Sequence, residues 1–376
     1  MVIKMMVRNY MENLLKEQRR LRVLDLGSGS GDGYEMLTHI PPSTPKGNIG
    51  SGFIISPAQL EMYAGIDINK QAIELGKVKY SGNPEVFFEY GNLEDGIPSG
   101  IQDSKPFDIY LSTYGSLSFL DPGQLENLLV QIFKHSRKGS ILVFDVHGKY
   151  CPAWPQYWSE SGTMLPYSFS YLASNGKRNS NNIEWIDLAF WSVEGLKDQL
   201  LTSASKAGIA LNNISFADRS IFVGRLMDSG LLSGKPMPYR YQINRLLDPD
   251  ERAEVEQLTI DLDYLEDFKK INPRVWERLT DYQRQWNRII ILLQALMHQD
   301  DIKVKNFLEN TDIELMSDEL KFLTWLFRNA DRFPVVDFWG SVIDPQIAII
   351  LRNIEMSYPD AVGCGHSLVC AMEIEK

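Results

Sequence analysis

Short apolar runs alternate with helical stretches along the first 220 or so residues of this chain. Runs of β-branched and aromatic residues predict six strands: Val23–Leu26, Tyr63–Ile68, Val86–Tyr90, Phe107–Ser112, Ser140–Val146 and Ile209–Phe216. Helical spacing between them is clearest for Leu125, Leu128, Leu129, Ile132 and Phe133. Asp121 and Gln124 ahead of that run resemble a capping-box start. The alternation predicts a doubly wound α/β fold, a parallel sheet with helices on both faces.

The pattern becomes mainly helical after Pro236. Apolar residues at three- and four-residue spacing predict five helices: Asp250–Lys270, Pro273–His298, Ile302–Asn310, Asp318–Asn329 and Pro345–Ser357. The final segment, His366–Glu375, has the pattern of a strand, and we expect it to pair antiparallel with the Ile209–Phe216 strand. Residues 1–217 plus 363–376 would then form the sheet domain, and residues 218–362 a helical insertion over the active-site side.

Three further stretches qualify this organisation. In the alternative arrangement, Ile221–Leu226 completes the sheet and the helices form an independent C-terminal domain. Residues 40–60 are rich in Pro, Gly and Ser, which predicts an inserted loop. Residues 150–191 hold ten aromatic side chains without a sustained period, which indicates either a lid or pocket wall, or a surface loop over its own small core.

Composition narrows the classes of function. The chain has 376 residues, 44% of them hydrophobic, and 38 Lys+Arg against 49 Asp+Glu give a formal charge of -11. A surface with this charge repels a polyanionic backbone, so nucleic acid is not expected as a partner. Three cysteines without C-x-x-C spacing fit neither a disulfide framework nor a zinc site, and a reducing, cytoplasmic location is expected. We see neither a signal peptide nor an apolar run of the roughly 18 residues that cross a bilayer, so no membrane partner is expected.

The segment VLDLGSGSGDG, Val23 to Gly33, carries the strongest chemical signal. A buried strand runs into Gly27, Gly29 and Gly31, which permit a sharp turn where ligand atoms can approach backbone N–H groups. The spacing is G-x-G-x-G, and the third glycine of G-x-G-x-x-G is missing from either start. That disfavours a pyrophosphate-binding dinucleotide site.

With Asp25 ahead of its glycines, this segment resembles the cofactor motif of the class I S-adenosylmethionine (SAM)-dependent methyltransferases. The resemblance covers roughly residues 21–217 plus the final strand. It implies a seven-stranded, mostly parallel sheet of the class I methyltransferase type, SAM as cofactor and S-adenosylhomocysteine as product. It also assigns cofactor contacts to the first-strand turn: Asp25, Gly27, Ser28, Gly29 and Gly31.

Three later motifs extend the resemblance in chain order. YAGIDIN ends the second strand with Asp67, where the family binds the ribose hydroxyls, and Ile68 lies beside it. FFEYGNLEDG places Asn92 and Leu93 where the family contacts adenine. PFDIYLSTYGSLSFL would put three residues beside the methyl donor: Ser112, Thr113 and Tyr114.

The chain departs from the family pattern at two points. The 42 residues from Asp25 to Asp67 are more than such units usually contain, which the insertion at residues 40–60 explains if it loops out. Asn92 stands where the family most often has Asp, and its amide oxygen can still accept a hydrogen bond from the adenine amino group.

The resemblance implies transfer of a methyl group to a small-molecule acceptor, with O-methylation favoured by family frequency and N- and C-methylation open. His147, directly after the fifth strand, is the candidate general base because an unperturbed imidazole titrates near neutrality. Tyr114 and Tyr150 are alternatives that would orient the acceptor. Glu184 and Asp187 lack metal-ligand spacing, so no metal is expected.

Arginines follow the sixth predicted strand, and one of them would grip a substrate carboxylate or phosphate unless they only cover the surface: Arg219, Arg225, Arg240 and Arg245. Two other functions stay open. One is methylation of a peptide or carrier-bound intermediate. The other is a SAM-binding protein that transfers no methyl group. The sequence does not indicate an oligomeric state.

Overall fold

The computed structural model describes residues 2–16, 20–42, 52–172, 183–248, 250–309 and 317–375. The strands are β1 Leu21–Leu26, β2 Leu60–Asp67, β3 Val86–Tyr90, β4 Ile109–Ser112, β5 Ile141–Gly148, β6 Met164–Ser168, β7 Trp185–Trp191, β8 Ala210–Arg219 and β9 Ser367–Glu375. The helices of the first half are α1 Val2–Lys16, α2 Asp32–Thr38, α3 Lys70–Lys79, α4 Ser99–Gln102, α5 Pro122–His135 and α6 Val193–Ala207. Those of the second half are α7 Tyr239–Arg245, α8 Pro273–Met297, α9 Asp301–Glu309, α10 Ser317–Arg328 and α11 Asp344–Asn353.

The main sheet has the strand order β3-β2-β1-β4-β5-β9-β8. Neighbours from β3 to β5 are parallel, and β9 runs antiparallel to both β5 and β8. The predicted fold class, a doubly wound and mostly parallel seven-stranded sheet, is confirmed. The predicted pairing of the final segment with the Ile209–Phe216 strand is also observed. The alternative, in which Ile221–Leu226 completes the sheet, is wrong because β9 occupies the place beside β5 and residues 221–226 form bends and turns.

Both faces of this sheet are apolar and covered by helices. Because side chains alternate along a strand, Val23 of β1 packs with α1, α2 and α3, whereas Leu24 packs with α5 and α6 on the other face. Helix α5 begins with the predicted capping box, in which the Asp121 side chain accepts the Gln124 N–H and the Gln124 side chain accepts the Asp121 N–H. Because both faces of the sheet are buried, the central strands consist of nearly continuous runs of apolar residues.

The aromatic segment forms a β6–β7 hairpin that was not predicted. The last two residues of β7 pair in parallel with the last two residues of β5, Phe190 with His147 and Trp191 with Gly148. Trp154 and Tyr167 pack in one core with Trp286 of α8. The segment is therefore not a loop over its own core. Residues 173–182 of the predicted lid, and the side chain of Tyr171, lie outside the described residues.

The helical region between β8 and β9 contains α7, which was not predicted, and differs from the prediction again at residues 250–270. Residues 250–270 do not form a helix but two short 3-10 turns, Val255–Leu258 and Asp263–Phe268. The reason is Asn287 of α8, whose side chain accepts the N–H of Ile260 and donates to its carbonyl. Because both backbone groups of Ile260 are bound by α8, a helix through this residue would have to break these bonds.

The insertion before β2 closes on itself: the N–H of Ile54 donates to the carbonyl of Ile40 at 2.8 Å. Residues 43–51 of this predicted loop lie outside the described residues. Within the described part of the chain, we find no helix with the length and apolarity needed to cross a membrane. The division into residues 1–217 plus 363–376 and residues 218–362 stays a prediction.

Candidate functional site

The turn after β1 is built from three glycines with positive φ: Gly27 at 75°, Gly29 at 54° and Gly31 at 100°. A Cβ on Gly27 would lie 2.5 Å from Ser116 Cβ, and one on Gly31 would lie 2.6 Å from the Tyr80 ring. A Cβ on Gly29 would meet no atom within 4 Å. Gly27 and Gly31 are therefore required by packing, and Gly29 alone of the three faces open space.

The backbone N–H groups of this turn are largely used within the chain. Those of Gly27 and Ser28 both donate to the Ile66 carbonyl, at 2.8 and 2.9 Å, and that of Gly31 donates to Ser28 O at 3.0 Å. The N–H of Gly29 donates to Asp67 Oδ2 at 2.8 Å. These four N–H groups are therefore already bonded within the chain and are poorly placed to hold a phosphate group. That ligand atoms approach the turn stays a prediction.

Asp67 links the turn to a cavity of about 280 Å³ at the carboxyl edge of the sheet. Its Oδ1 accepts the N–H of Asn69 at 2.7 Å, so each oxygen accepts one backbone bond and keeps a further lone pair. The cavity is also lined by Gly27, Ile68, Asn92 and Leu93, so it brings five predicted cofactor residues together. Asn92 caps the turn that follows, because its Oδ1 accepts the N–H of Glu94.

Three predicted cofactor residues lie behind the turn and do not line this cavity. Asp25 is 1% exposed, and its Oδ2 accepts a hydrogen bond from Tyr63. Burial raises the pKa of Asp25 to about 7. Ser28 is buried as well, and the Ser112 hydroxyl donates to the Leu26 carbonyl at 2.7 Å. These side chains are buried at the ends of the strands, and their positions do not favour direct contact with the cofactor.

The turn after β4 places Tyr114 at the entrance of two further cavities. Tyr114 and Gly115 both have positive φ, and the Gly115 N–H donates to Asp145 Oδ1 at 3.1 Å. The other oxygen of Asp145 accepts from Arg219 at 2.6 Å. Thr113 and Tyr114 border a cavity of about 760 Å³, and Tyr114 also borders one of about 350 Å³. The buried Asp145 therefore fixes both the Tyr114 turn and Arg219.

His147 lines the cavity of about 350 Å³, and its pKa differs from that of an ordinary histidine. Burial, and then the positive charges of Arg225 and Arg219, lowers the pKa of His147 to about 3. Its Nδ1 is buried without a hydrogen-bond partner. The expected pKa near neutrality is wrong, and at pH 7 the imidazole is a neutral group that takes up a proton poorly.

We expect His147 to stay neutral from pH 5 to pH 8. Since its pKa is lower in the folded than in the unfolded chain, protonation favours unfolding, and its contribution to stability falls as the pH drops below about 6.5. Between pH 7 and pH 5, His147→Gln should remove up to about 2 kcal/mol of this acid destabilisation, measured by urea unfolding. The control is His298→Gln at the exposed end of α8. An imidazole nitrogen resonance of His147 that titrates near pH 6.5 would contradict the prediction.

No protein-family model and no curated protein sequence matches this chain. Solved structures do match. A SAM-dependent methyltransferase from Clostridium acetobutylicum has a TM-score of 0.34 and 12% identity, with 55% of this chain and 83% of that chain covered. One from Mesorhizobium loti has a TM-score of 0.34 and 15% identity, covering 55% and 82%. The glycopeptide N-methyltransferase MtfA, solved with SAM, has a TM-score of 0.35 and 10% identity, covering 56% and 80%.

These three proteins are SAM-dependent methyltransferases. At TM-scores of 0.34–0.35 and identities of 10–15%, they assign no activity to this chain.

The remaining candidates are spread over the molecule. Tyr150 packs against Trp158, with ring centroids 6.1 Å apart, and Arg245 pairs with Glu251 at the surface. Glu184 and Asp187 are exposed. By contrast, the cavity of about 350 Å³, called the second cavity from here on, brings together three of the four arginines singled out in the sequence: Arg219, Arg225 and Arg240.

Sequence reasoning missed His366, Phe119 and Tyr167, which also line the second cavity. Phe119 lies within the fourth-strand motif, and His366 begins the final predicted strand. Their positions in the sequence offered a signal that was not used: polar or aromatic residues at strand ends gather at one sheet edge.

Proposed function

We propose that this protein is a SAM-dependent methyltransferase with a small-molecule acceptor. The observation that carries the proposal is the chemistry of the turn after β1. Its N–H groups at Gly27, Ser28, Gly29 and Gly31 are bound within the chain, and the carboxylate of Asp67 lies beside it. Such a site suits an adenosyl group with a cationic tail and repels the phosphates of a dinucleotide.

The residues present fit SAM. Asp67 has a free lone pair on each oxygen for the two ribose hydroxyls. Asn92 and Leu93 line the same cavity and would hold the adenine, and the exposed Ile68 offers an apolar surface to the base. Gly29 leaves room for the ligand to approach the backbone. SAM supplies a methyl group made electrophilic by the sulfonium.

The chain's own part in the reaction is to position the acceptor and to exclude water. Phe119 borders both the cofactor cavity and the cavity of about 350 Å³, so an acceptor in the second cavity lies next to the cofactor. Tyr114 would orient the acceptor, whereas the neutral His147 would act through a hydrogen bond. We propose O-methylation of an oxygen that has already lost its proton to solvent, so that the transfer itself leaves no proton to be removed.

Cofactor binding is tested first by isothermal titration with SAM, S-adenosylhomocysteine and NAD. Both adenosyl ligands should bind, and NAD should bind far more weakly. Asp67→Asn keeps one oxygen for the Gly29 N–H but loses the charge, so it should weaken SAM binding by about 1.5–3 kcal/mol. The control is Asp198→Asn, an exposed residue of α6.

Equal affinity of Asp67→Asn and wild type would remove Asp67 from the site. Tighter binding of NAD than of SAM would refute the cofactor assignment. Turnover is tested by incubating the protein and SAM with metabolites and short peptides and searching for a mass gain of one methyl group. Binding of SAM without turnover of any acceptor would favour a SAM-binding protein that transfers no methyl group.

A further inference from the structure

The second cavity, of about 350 Å³, has the size of a small-molecule site and an unusual charge. It is bordered by the side chains of Arg219, Arg225 and Arg240 together with His147 and His366. None of the residues that line it is Asp or Glu. The chain as a whole has a formal charge of -11, whereas this cavity is locally positive and attracts anions.

The three arginines are not equivalent. Arg219 is neutralised by Asp145 at 2.6 Å and also donates to Ser367 at 3.0 Å. The guanidinium of Arg240, at the start of α7, forms no hydrogen bond or ion pair within the described part of the chain. Glu355 borders a neighbouring cavity together with Arg240, but its oxygens accept the N–H groups of Ser220 and Ile221. The charge of Arg240 is therefore available to a ligand.

Two histidines complete the lining of the cavity. The rings of His147 and His366 lie 5.3 Å apart, measured between centroids, and both side chains are buried. Nδ1 of His147 has no hydrogen-bond partner but is closed off from the cavity as well as from solvent. The affinity for an anion therefore rests on the arginines.

The cavity also has an apolar side. Phe119, Tyr167, Phe169 and Leu188 line it. A ligand that fills the cavity therefore combines a flat or apolar body with an anionic group.

We propose that this cavity binds the carboxylate or phosphate of a small acceptor, held by the guanidinium groups of Arg240 and Arg225. The inference rests on the proposed function, because it names the substrate class of the same site. The anionic group serves to orient the acceptor. The atom that receives the methyl group lies elsewhere on the molecule, towards Phe119 and the cofactor cavity.

Three probes test the charge requirement in the full-length protein: benzoate, phenyl phosphate and benzamide. Benzamide matches benzoate in size but is neutral. In ligand-observed NMR titrations up to about 10 mM, at least one anion should bind ten or more times more tightly than benzamide. The tighter of the two anions tells which group, carboxylate or phosphate, the cavity takes.

Arg240→Gln should weaken binding of that anion about tenfold and leave S-adenosylhomocysteine binding unchanged. Arg225→Gln gives a second test should Arg240→Gln fail to fold. The control is Arg284→Gln, a mostly exposed residue of α8 that pairs with Asp281. It should leave binding of both ligands unchanged.

The two proposals fail in different ways. If S-adenosylhomocysteine binds but benzoate, phenyl phosphate and benzamide bind equally or not at all, the anion inference is overturned. An anion affinity that neither Arg240→Gln nor Arg225→Gln reduces overturns it as well. If the anion binds through Arg240 but S-adenosylhomocysteine does not bind, the anion site stands and the cofactor assignment is refuted.

Discussion

A Gly29→Ala variant should fold and yet bind SAM about a hundredfold more weakly, a loss of ~2.8 kcal/mol. The added methyl group meets no protein atom within 4 Å, so the folded chain tolerates it. It would instead occupy the space through which the ligand approaches the backbone. Because Gly29 has a φ of 54°, alanine also costs about 1–2 kcal/mol of folding stability. Isothermal titration with SAM and thermal unfolding measure the two effects separately.

Gly208→Ala is a matched control. Gly208 ends α6 with a φ of 72°, and a Cβ there also meets no atom within 4 Å. It carries the same kind of backbone strain far along the chain from the proposed site. The control should lose stability and keep its affinity for SAM. Should both variants keep full affinity, the turn after β1 would not be a ligand site.

Deleting residues 367–375 should leave no soluble folded protein. Strand β9 lies between β5 and β8 and pairs with both, so its loss exposes the backbone groups of two strands. Most of its side chains are buried as well. Expression of the shortened chain and its circular dichroism spectrum measure the outcome. A soluble chain with native helix content would show that the sheet is stable without β9.

A single substitution in β9 tests the contribution of this strand to stability on a smaller scale. Met372 is fully buried in β9, so Met372→Ala should lower the free energy of unfolding by about 2–5 kcal/mol. Met297→Ala, at the half-exposed end of α8, is the control and should change stability much less. A small loss at Met372 would mean that the surrounding core collapses into the space.

The sequence predicts the sheet well because its signals are local. Strand β3 has the predicted bounds, Val86–Tyr90, and the Asp121 capping box needs only two side chains three residues apart. The failed helix at residues 250–270 depends on Asn287, which the sequence does not place beside Ile260. The β6–β7 hairpin was not recognised because both of its faces are apolar: Tyr167 and Phe190 pack in the helical core, whereas Trp191 packs with α5 and α6.

The candidate site divides in the same way. Asp67, Ile68, Asn92 and Leu93 come from motifs at strand ends, so the sheet order alone brings them to one cavity. The pKa of His147 depends on burial and on Arg219 and Arg225, which are 72 and 78 residues away in sequence, and no local pattern contains that information. The cationic cavity likewise needs β5, α7 and the start of β9 to meet.

The position of β9 also has a consequence for the order of events during synthesis. Arg219 at the end of β8 and Ser367 at the start of β9 are neighbours in the sheet but 148 residues apart in the chain. A ribosome therefore makes β5, β8 and the entire helical region before the strand that joins β5 to β8. Until β9 emerges, both strands present unpaired edges to other chains. The sheet is therefore completed only after the helical region and β9 have left the ribosome, and during that interval pairing with other chains competes with folding.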